Sequence, residues 1–243
     1  MERILLLLFL FLPFCFTSQA QQIDLIDPAD YYILDDVKPD LSLETYDRFN
    51  HAIGGDSIRI CGEFPCIGWV EDKWENGVMK HRGYYDAGKL VIYKNYHPSG
   101  DLEREYKGID ARKSVMRTFF SGAGLRSETK YVDGNAIEYK EHYVNGKLRY
   151  HEEKHRSQPY YLRMDLYAAD GHPISLMQLI DKKKVEFEIK EYHPGGALKC
   201  EGRARYDPSR MDSQRIAVWR TYDKAGALLR EEAYQDGRIS QVK

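Results

Sequence analysis

Apolar and polar residues alternate with period two through much of this chain. Val185, Phe187 and Ile189 fall on one side of an extended segment, with Glu186, Glu188 and Lys190 on the other. Leu162, Met164 and Leu166 oppose Arg163 and Asp165 in the same way, and Ile137, Tyr139 and Tyr143 mark one side of a further segment. Successive side chains of a strand point to opposite faces, so this period predicts β-strands rather than helices.

Glycines punctuate the alternating segments. They fall at Gly77, Gly88, Gly100, Gly124, Gly134, Gly146, Gly171, Gly196, Gly226 and Gly237, in steps of 11, 12, 24, 10, 12, 25, 25, 30 and 11 residues. The local strings match as well: Trp74-Glu75-Asn76-Gly77, Tyr143-Val144-Asn145-Gly146-Lys147-Leu148 and Tyr222-Asp223-Lys224-Ala225-Gly226-Ala227-Leu228. Tyr96-His97-Pro98-Ser99-Gly100 and Tyr192-His193-Pro194-Gly195-Gly196 are nearly copies of each other. The spacing predicts a unit of 11–12 residues, or its double where one turn is irregular. Asn-Gly and Asp-Gly accept the positive φ of tight hairpin turns, and Ala-Gly and Pro-x-Gly suit slightly longer ones. About eight residues between turns make a strand of roughly 25 Å. Turns this short join antiparallel neighbours. A single hairpin cannot bury its apolar face alone, so neighbours continue the sheet. The expected fold is all-β: an antiparallel meander of repeated hairpins forming one long twisted sheet of roughly 12 strands. A closed barrel is the alternative, but it needs clean apolar alternation in every strand, and residues 101–107 (Asp-Leu-Glu-Arg-Glu-Tyr-Lys) are too polar for that.

The recurring Tyr-x-x-x-Gly-x-Leu turn, with Gly83-Tyr84-Tyr85 ahead of its second copy, resembles the MORN-repeat-variant family, whose bacterial members are often labelled YwqK-type antitoxin components. The resemblance covers roughly residues 68–243. It implies an antiparallel β array acting as a scaffold for partners, and no enzyme.

Residues 1–20 read as a signal peptide: Arg3, an apolar run from Ile4 to Phe16, and Ser18-Gln19-Ala20 at the cleavage position. The run is shorter than the roughly 20 residues a membrane-spanning helix needs, so no transmembrane segment is expected after cleavage. The chain is therefore expected to be exported, to a periplasm or a cell surface. Charged residues make up 30% of the sequence, and mean hydropathy is -0.62, which suits an extended, wet sheet better than a thick core.

The net charge of -2 is unevenly placed. Residues 21–56 carry nine acids (Asp24, Asp27, Asp30, Asp35, Asp36, Asp40, Glu44, Asp47 and Asp56) against Lys38 and Arg48. This acidic segment reads as a solvated lead that caps or links to the array of residues 57–243. The array carries 33 bases and 28 acids, too thin and too mixed an excess for nucleic-acid binding. After cleavage three cysteines remain. Cys61 and Cys66 are close enough to form a local disulfide in an oxidising compartment, and Cys200 is left as a small buried hydrophobe.

One string looks catalytic. His151-Glu152-Glu153-Lys154-His155 fits the H-E-x-x-H pattern of zinc peptidases. That chemistry needs a helix. On a strand the two histidines share a face but stand about 13 Å apart, and one zinc with Zn–N bonds of about 2.1 Å cannot span that gap. Other histidines, His81, His97, His142, His172 and His193 among them, are scattered, and no cofactor or metal is expected. Eight tyrosines precede turn glycines: Tyr85, Tyr96, Tyr131, Tyr143, Tyr167, Tyr192, Tyr222 and Tyr234. They are expected to set hairpin register, and they are also the candidate contact row for a protein partner. Trp69, Trp74 and Trp219 are the candidates for a glycan.

Overall fold

The computed structural model describes residues 45–242, apart from 123 and 236. The expected signal peptide and most of the acidic segment lie outside the described residues. A small hairpin, β1 (Ile60–Cys61) and β2 (Phe64–Pro65), precedes one long sheet. Its strands are β3 (Gly68–Lys73), β4 (Met79–Asp86), β5 (Lys89–Tyr96), β6 (Leu102–Gly108) and β7 (Lys113–Phe119). They are followed by β8 (Leu125–Val132), β9 (Asn135–His142), β10 (Leu148–Lys154), β11 (Tyr161–Tyr167) and β12 (Pro173–Asp181). The series ends with β13 (Glu186–Tyr192), β14 (Leu198–Asp207), β15 (Asp212–Tyr222), β16 (Leu228–Gln235) and β17 (Arg238–Val242). Each strand pairs with its sequence neighbours, so these 15 strands form one antiparallel meander, open at β3 and β17 and not closed into a barrel.

There are more strands than the glycine spacing predicts, and the two rims of the sheet explain why. On one rim, six turns share a single hydrogen-bond pattern: the residue three before the glycine accepts from the glycine N–H and donates its own N–H one residue beyond it. Those glycines are Gly77, Gly100, Gly146, Gly171, Gly196 and Gly226, each with positive φ. The rim fixes the hairpin, about 24 residues, as the repeating unit. The other rim has the tight Ala87-Gly88 and Asp133-Gly134 turns, in which both residues have positive φ. Gly237, at φ 77°, serves the β16–β17 turn on the same rim, and at four further reversals there the chain turns on side-chain acceptors. Asp110 Oδ1 accepts the N–H groups of Arg112 and Lys113, each at 2.8 Å. Asp181 Oδ1 accepts those of Lys183 (2.8 Å) and Lys184 (3.0 Å). Asp207 Oδ1 accepts that of Ser209, and His155 Nδ1 accepts those of Ser157 and Gln158. These side-chain acceptors do locally what glycine does elsewhere, and they hide four reversals inside the long glycine steps.

Two assignments change. Gly124 is not the left-handed residue of its turn; Gly122 is, at φ 64°. Val185 is not in line with Phe187 and Ile189; it ends the Asp181 turn at φ 51°, and β13 begins at Glu186.

The core sits on one face of the first strands. Tyr85, Leu90, Tyr93 and Tyr106 from β4–β6 are buried with Tyr46, Phe49 and Cys66 from the segment laid across them. Residues 45–56, the described part of the acidic segment, therefore dock on the sheet instead of hanging in solvent. Beyond this cap the sheet is a single layer, in which side chains are shielded mainly by neighbours on the same face. Farther along, Phe187 is buried under Tyr160, which also meets Tyr206. Trp219 lies flat over Gly202, where an added Cβ would meet the indole at 2.3 Å.

Candidate binding surfaces

Cross-strand register sorts the side chains onto two unlike faces. The capped face runs through His81, Gly83 and Tyr85 to their partners Asn95, Tyr93 and Leu90, and on to Tyr106 and Met116. The opposite face carries charge.

The cap is held by two carboxylates. Asp72 receives both guanidinium nitrogens of Arg59, at 2.6 and 2.7 Å, and the Tyr46 hydroxyl at 2.7 Å. Asp47 receives the Tyr93 hydroxyl and Arg104. Burial by itself would raise the pKa of Asp72, but Arg59 and Tyr46 outweigh it and hold the carboxyl below its ordinary range. Between these anchors the His81 ring stacks on Tyr46 at 3.8 Å. Its Nδ1 lies 2.7 Å from Asn95 Oδ1 and its Nε2 3.0 Å from the Tyr85 hydroxyl. Burial lowers its pKa to about 4. A neutral ring with its proton on Nδ1 satisfies every partner, with Arg59 donating to the Tyr85 oxygen at 3.2 Å.

On the charged face ion pairs follow one another both across and along the strands. Arg117 bridges Glu105 and Glu128, and Glu138 receives Lys130 and Lys140, both at 2.7 Å. Arg163 pairs with Asp165, Arg205 with Glu186 and Arg220 with Glu231. Burial works against the Glu138 carboxylate, yet Lys130 and Lys140 hold its pKa at about 2. The more exposed of these pairs, such as Arg220–Glu231, are individually worth less than about 1 kcal/mol, so their role is to keep the face polar and in register, while Asp165 and Glu186 are buried carboxylates held by their arginines.

The H-E-x-x-H string lies on β10 and its exit. His151 points to Glu138 Oε1 at 3.2 Å, while His155 closes a turn and packs on Tyr160 at 4.9 Å between ring centroids. The two imidazoles have separate jobs and do not converge. Of the scattered histidines, His81 is in the core, His172 meets Asp170 at a turn, and His193 Nε2 donates to the Tyr222 carbonyl at 3.0 Å. Among the described residues no three His, Cys, Asp or Glu side chains gather to hold a metal ion. Cys61 and Cys66 are disulfide-bonded, and Cys200 is buried, its thiol pushed up by that burial.

The eight tyrosines do not form one row. Tyr85, Tyr131 and Tyr234 precede glycines of the irregular rim and lie on the capped face, where Tyr85 is buried. Tyr96, Tyr143, Tyr167, Tyr192 and Tyr222 belong to the regular rim, and none of the eight is exposed. The rim has its own ladder. Trp74 Nε1 donates to the Tyr96 carbonyl at 3.0 Å, the Tyr143 hydroxyl to the Tyr167 carbonyl at 2.8 Å, and His193 to the Tyr222 carbonyl. These bonds brace the Gly77, Gly146 and Gly196 turns against the next turn along the same rim. Of the three tryptophans, Trp219 is buried and Trp74 is half-buried in this ladder.

Trp69 differs, being 54% exposed on the terminal strand β3. Its indole meets the Tyr84 ring edge-on at 5.6 Å, and Arg82 lies 5.0 Å from its centroid. Trp69 and Arg82, with Ile92, Lys94, Glu105 and Lys107, line a depression of about 250 Å³ on the charged face. Among the described residues no helix is long and apolar enough to cross a membrane.

No protein-family model matches the chain, and no curated protein does. Among solved structures, 61% of the chain is similar to 21% of a chain in the crystal structure of TarM, at 11% identity and a TM-score of 0.19. A further likeness, to a chain in the crystal structure of TcdB2-TccC3-Cdc42, covers 69% of this chain and 11% of that one, at 10% identity and a TM-score of 0.24. The chain spans about a fifth or less of the length of these structures, and likenesses this slight say nothing about what it does.

Proposed function

We propose that this chain is an exported, non-enzymatic scaffold that presents its sheet to a protein partner in the cell envelope. One observation carries the reading: on the middle strands of the charged face Arg117, Glu105, Glu128, Lys130, Glu138 and Lys140 are engaged with each other, in a sheet that among the described residues is covered only over its first strands. A surface of that kind is suited to holding a broad contact, because its side chains are already ordered before a partner arrives. The resemblance of the turns to the MORN-repeat-variant family, and an apolar leader that reads as a signal peptide, point the same way. A second reading, glycan binding, is favoured by the exposed Trp69 ring beside Tyr84. The test is quantitative capture from envelope fractions on the immobilised mature chain, followed by binding measurements with each purified candidate. A partner that binds reproducibly in purified form supports the reading; no such partner, with a glycan array instead positive and lost in Trp69→Ala, would replace it with the second.

A further inference from the structure

Within that reading of a partner-binding scaffold, we infer that the partner adds to the open edge at β3 as an extended acidic peptide strand, seated beside Trp69. The edge is formed by Gly68–Lys73, which among the described residues pairs with β4 on one side only. Its residues alternate, with Gly68, Val70 and Asp72 turned to the capped face and Trp69, Glu71 and Lys73 exposed. The backbone pairing that starts with Trp74 and Val78 at the turn makes every second residue of β3 bond inward to β4. Trp69, Glu71 and Lys73 are then left with N–H and C=O groups directed outward. Open edges in folded proteins are ordinarily blunted by proline, by inward charges or by a covering loop. β3 has no proline, its one inward charge, Asp72, is neutralised by Arg59, and its exposed side chains include a large aromatic ring.

Main-chain pairing supplies affinity in strand addition, and alternate side chains supply selectivity. Here the side chains near the edge on the charged face are Lys73, Arg82, Lys94 and Lys89, the last opposite Asp86, against Glu71 and Asp86. Arg82 meets Glu71 only at 3.4 Å, with both side chains about half exposed, so it is free to turn to a stronger acceptor. An incoming strand that places acids on this face would meet the cations, while its neighbour to Trp69 would pack on the indole. A basic peptide would find the reverse. This complementarity selects an acidic strand over a neutral or basic one.

The test uses the full mature chain and a fluorescein-labelled heptapeptide of alternating Glu and Val, with a Lys/Val peptide of the same length as its control. Fluorescence anisotropy should show binding of the Glu/Val peptide at least tenfold tighter than the control, weakening as salt is raised. Trp69→Ala should weaken it at least tenfold. Glu71→Pro should do the same by removing one outward N–H, since an edge strand accepts proline where the N–H faces solvent; circular dichroism checks that the sheet persists. Glu71→Gln, which keeps the donor and removes a repelling acid, should bind as tightly as the parent or more tightly. Equal binding of both peptides, or no effect of Trp69→Ala and Glu71→Pro, overturns the inference while a partner captured elsewhere on the sheet leaves the scaffold reading standing. So does an acidic hexasaccharide that binds at Trp69 when the peptide does not. Hydrogen-exchange protection of Trp69, Glu71 and Lys73 in the free chain would also overturn it, because the edge would already be occupied by the chain itself.

Discussion

Mild acid should loosen the cap of this sheet, and His81 is the reason. The ring has no exposed surface. It is stacked under Tyr46 and bonded to Asn95 and the Tyr85 hydroxyl, with Arg59 donating to that same hydroxyl. A proton added to Nε2 would leave Tyr85 with two donors facing its oxygen, and it would place a second cation beside Arg59 without water. Burial accordingly lowers the pKa from 6.5 to about 4. The unfolded chain then takes up the proton first as pH falls. The contribution of the neutral ring is present in full above about pH 6.5, declines through the window down to about 4, and is constant below it. At 1.36 kcal/mol per unit, the whole window is worth about 3 kcal/mol, of which about 2 kcal/mol is lost by pH 5. Asp72 and Glu138 lose their stabilising charge only at lower pH, since both are held below their ordinary values. His151 is also lowered by burial and titrates on another strand, so the difference between the parent and His81→Gln isolates the one ring. Urea unfolding followed by circular dichroism, between about pH 8 and about pH 5, should show the parent losing about 2 kcal/mol more than the variant. A pH slope identical in the two proteins would falsify the neutral-ring account.

Other positions give sharper local tests. Gly202→Ala forces a methyl into the Trp219 ring, where 2.3 Å is available, and should cost about 1–3 kcal/mol in thermal melts, with a red shift of tryptophan emission as the ring lifts. Asp47→Ala removes the acceptor shared by Tyr93 and Arg104; amide exchange over residues 45–56 should rise steeply, with a loss of about 1–3 kcal/mol, and unchanged exchange there would mean the cap is held by packing alone. Reducing the Cys61–Cys66 bond opens a short loop, so it should cost no more than about 2 kcal/mol and leave the exchange of β9–β17 unaltered. Asp181→Ala deprives two turn amides of their acceptor and should speed their exchange at a cost of about 1 kcal/mol.

The sequence by itself determined that the chain folds as strands, that neighbours are antiparallel, and that the array extends without closing. Period-two alternation and turn glycines are local properties, and pairing between sequence neighbours needs nothing else. The separation of His151 from His155 was legible in the same way, because the rise of a strand alone holds the two rings apart. The reversals at Asp110, His155, Asp181 and Asp207 escaped the glycine pattern, although an Asp followed by a polar run is a legible signal of a turn in which the carboxylate accepts the amides two or three residues on. What only the tertiary structure decided is which face each side chain takes and what covers it. Bulges shift the register in pair after pair, as between Tyr84 and Tyr85 and between Thr221 and Tyr222, and each shift resets the alternation. The eight tyrosines divide between two rims because successive turns of a meander lie at opposite ends of the strands. The docking of Tyr46, Asp47 and Phe49 on strands 26 to 57 residues away in sequence depends on long-range packing that no local pattern encodes. The acids of that segment read as solvated in the sequence, and the fold makes two of the chain's carboxylates, Asp47 and Asp72, the anchors of its core.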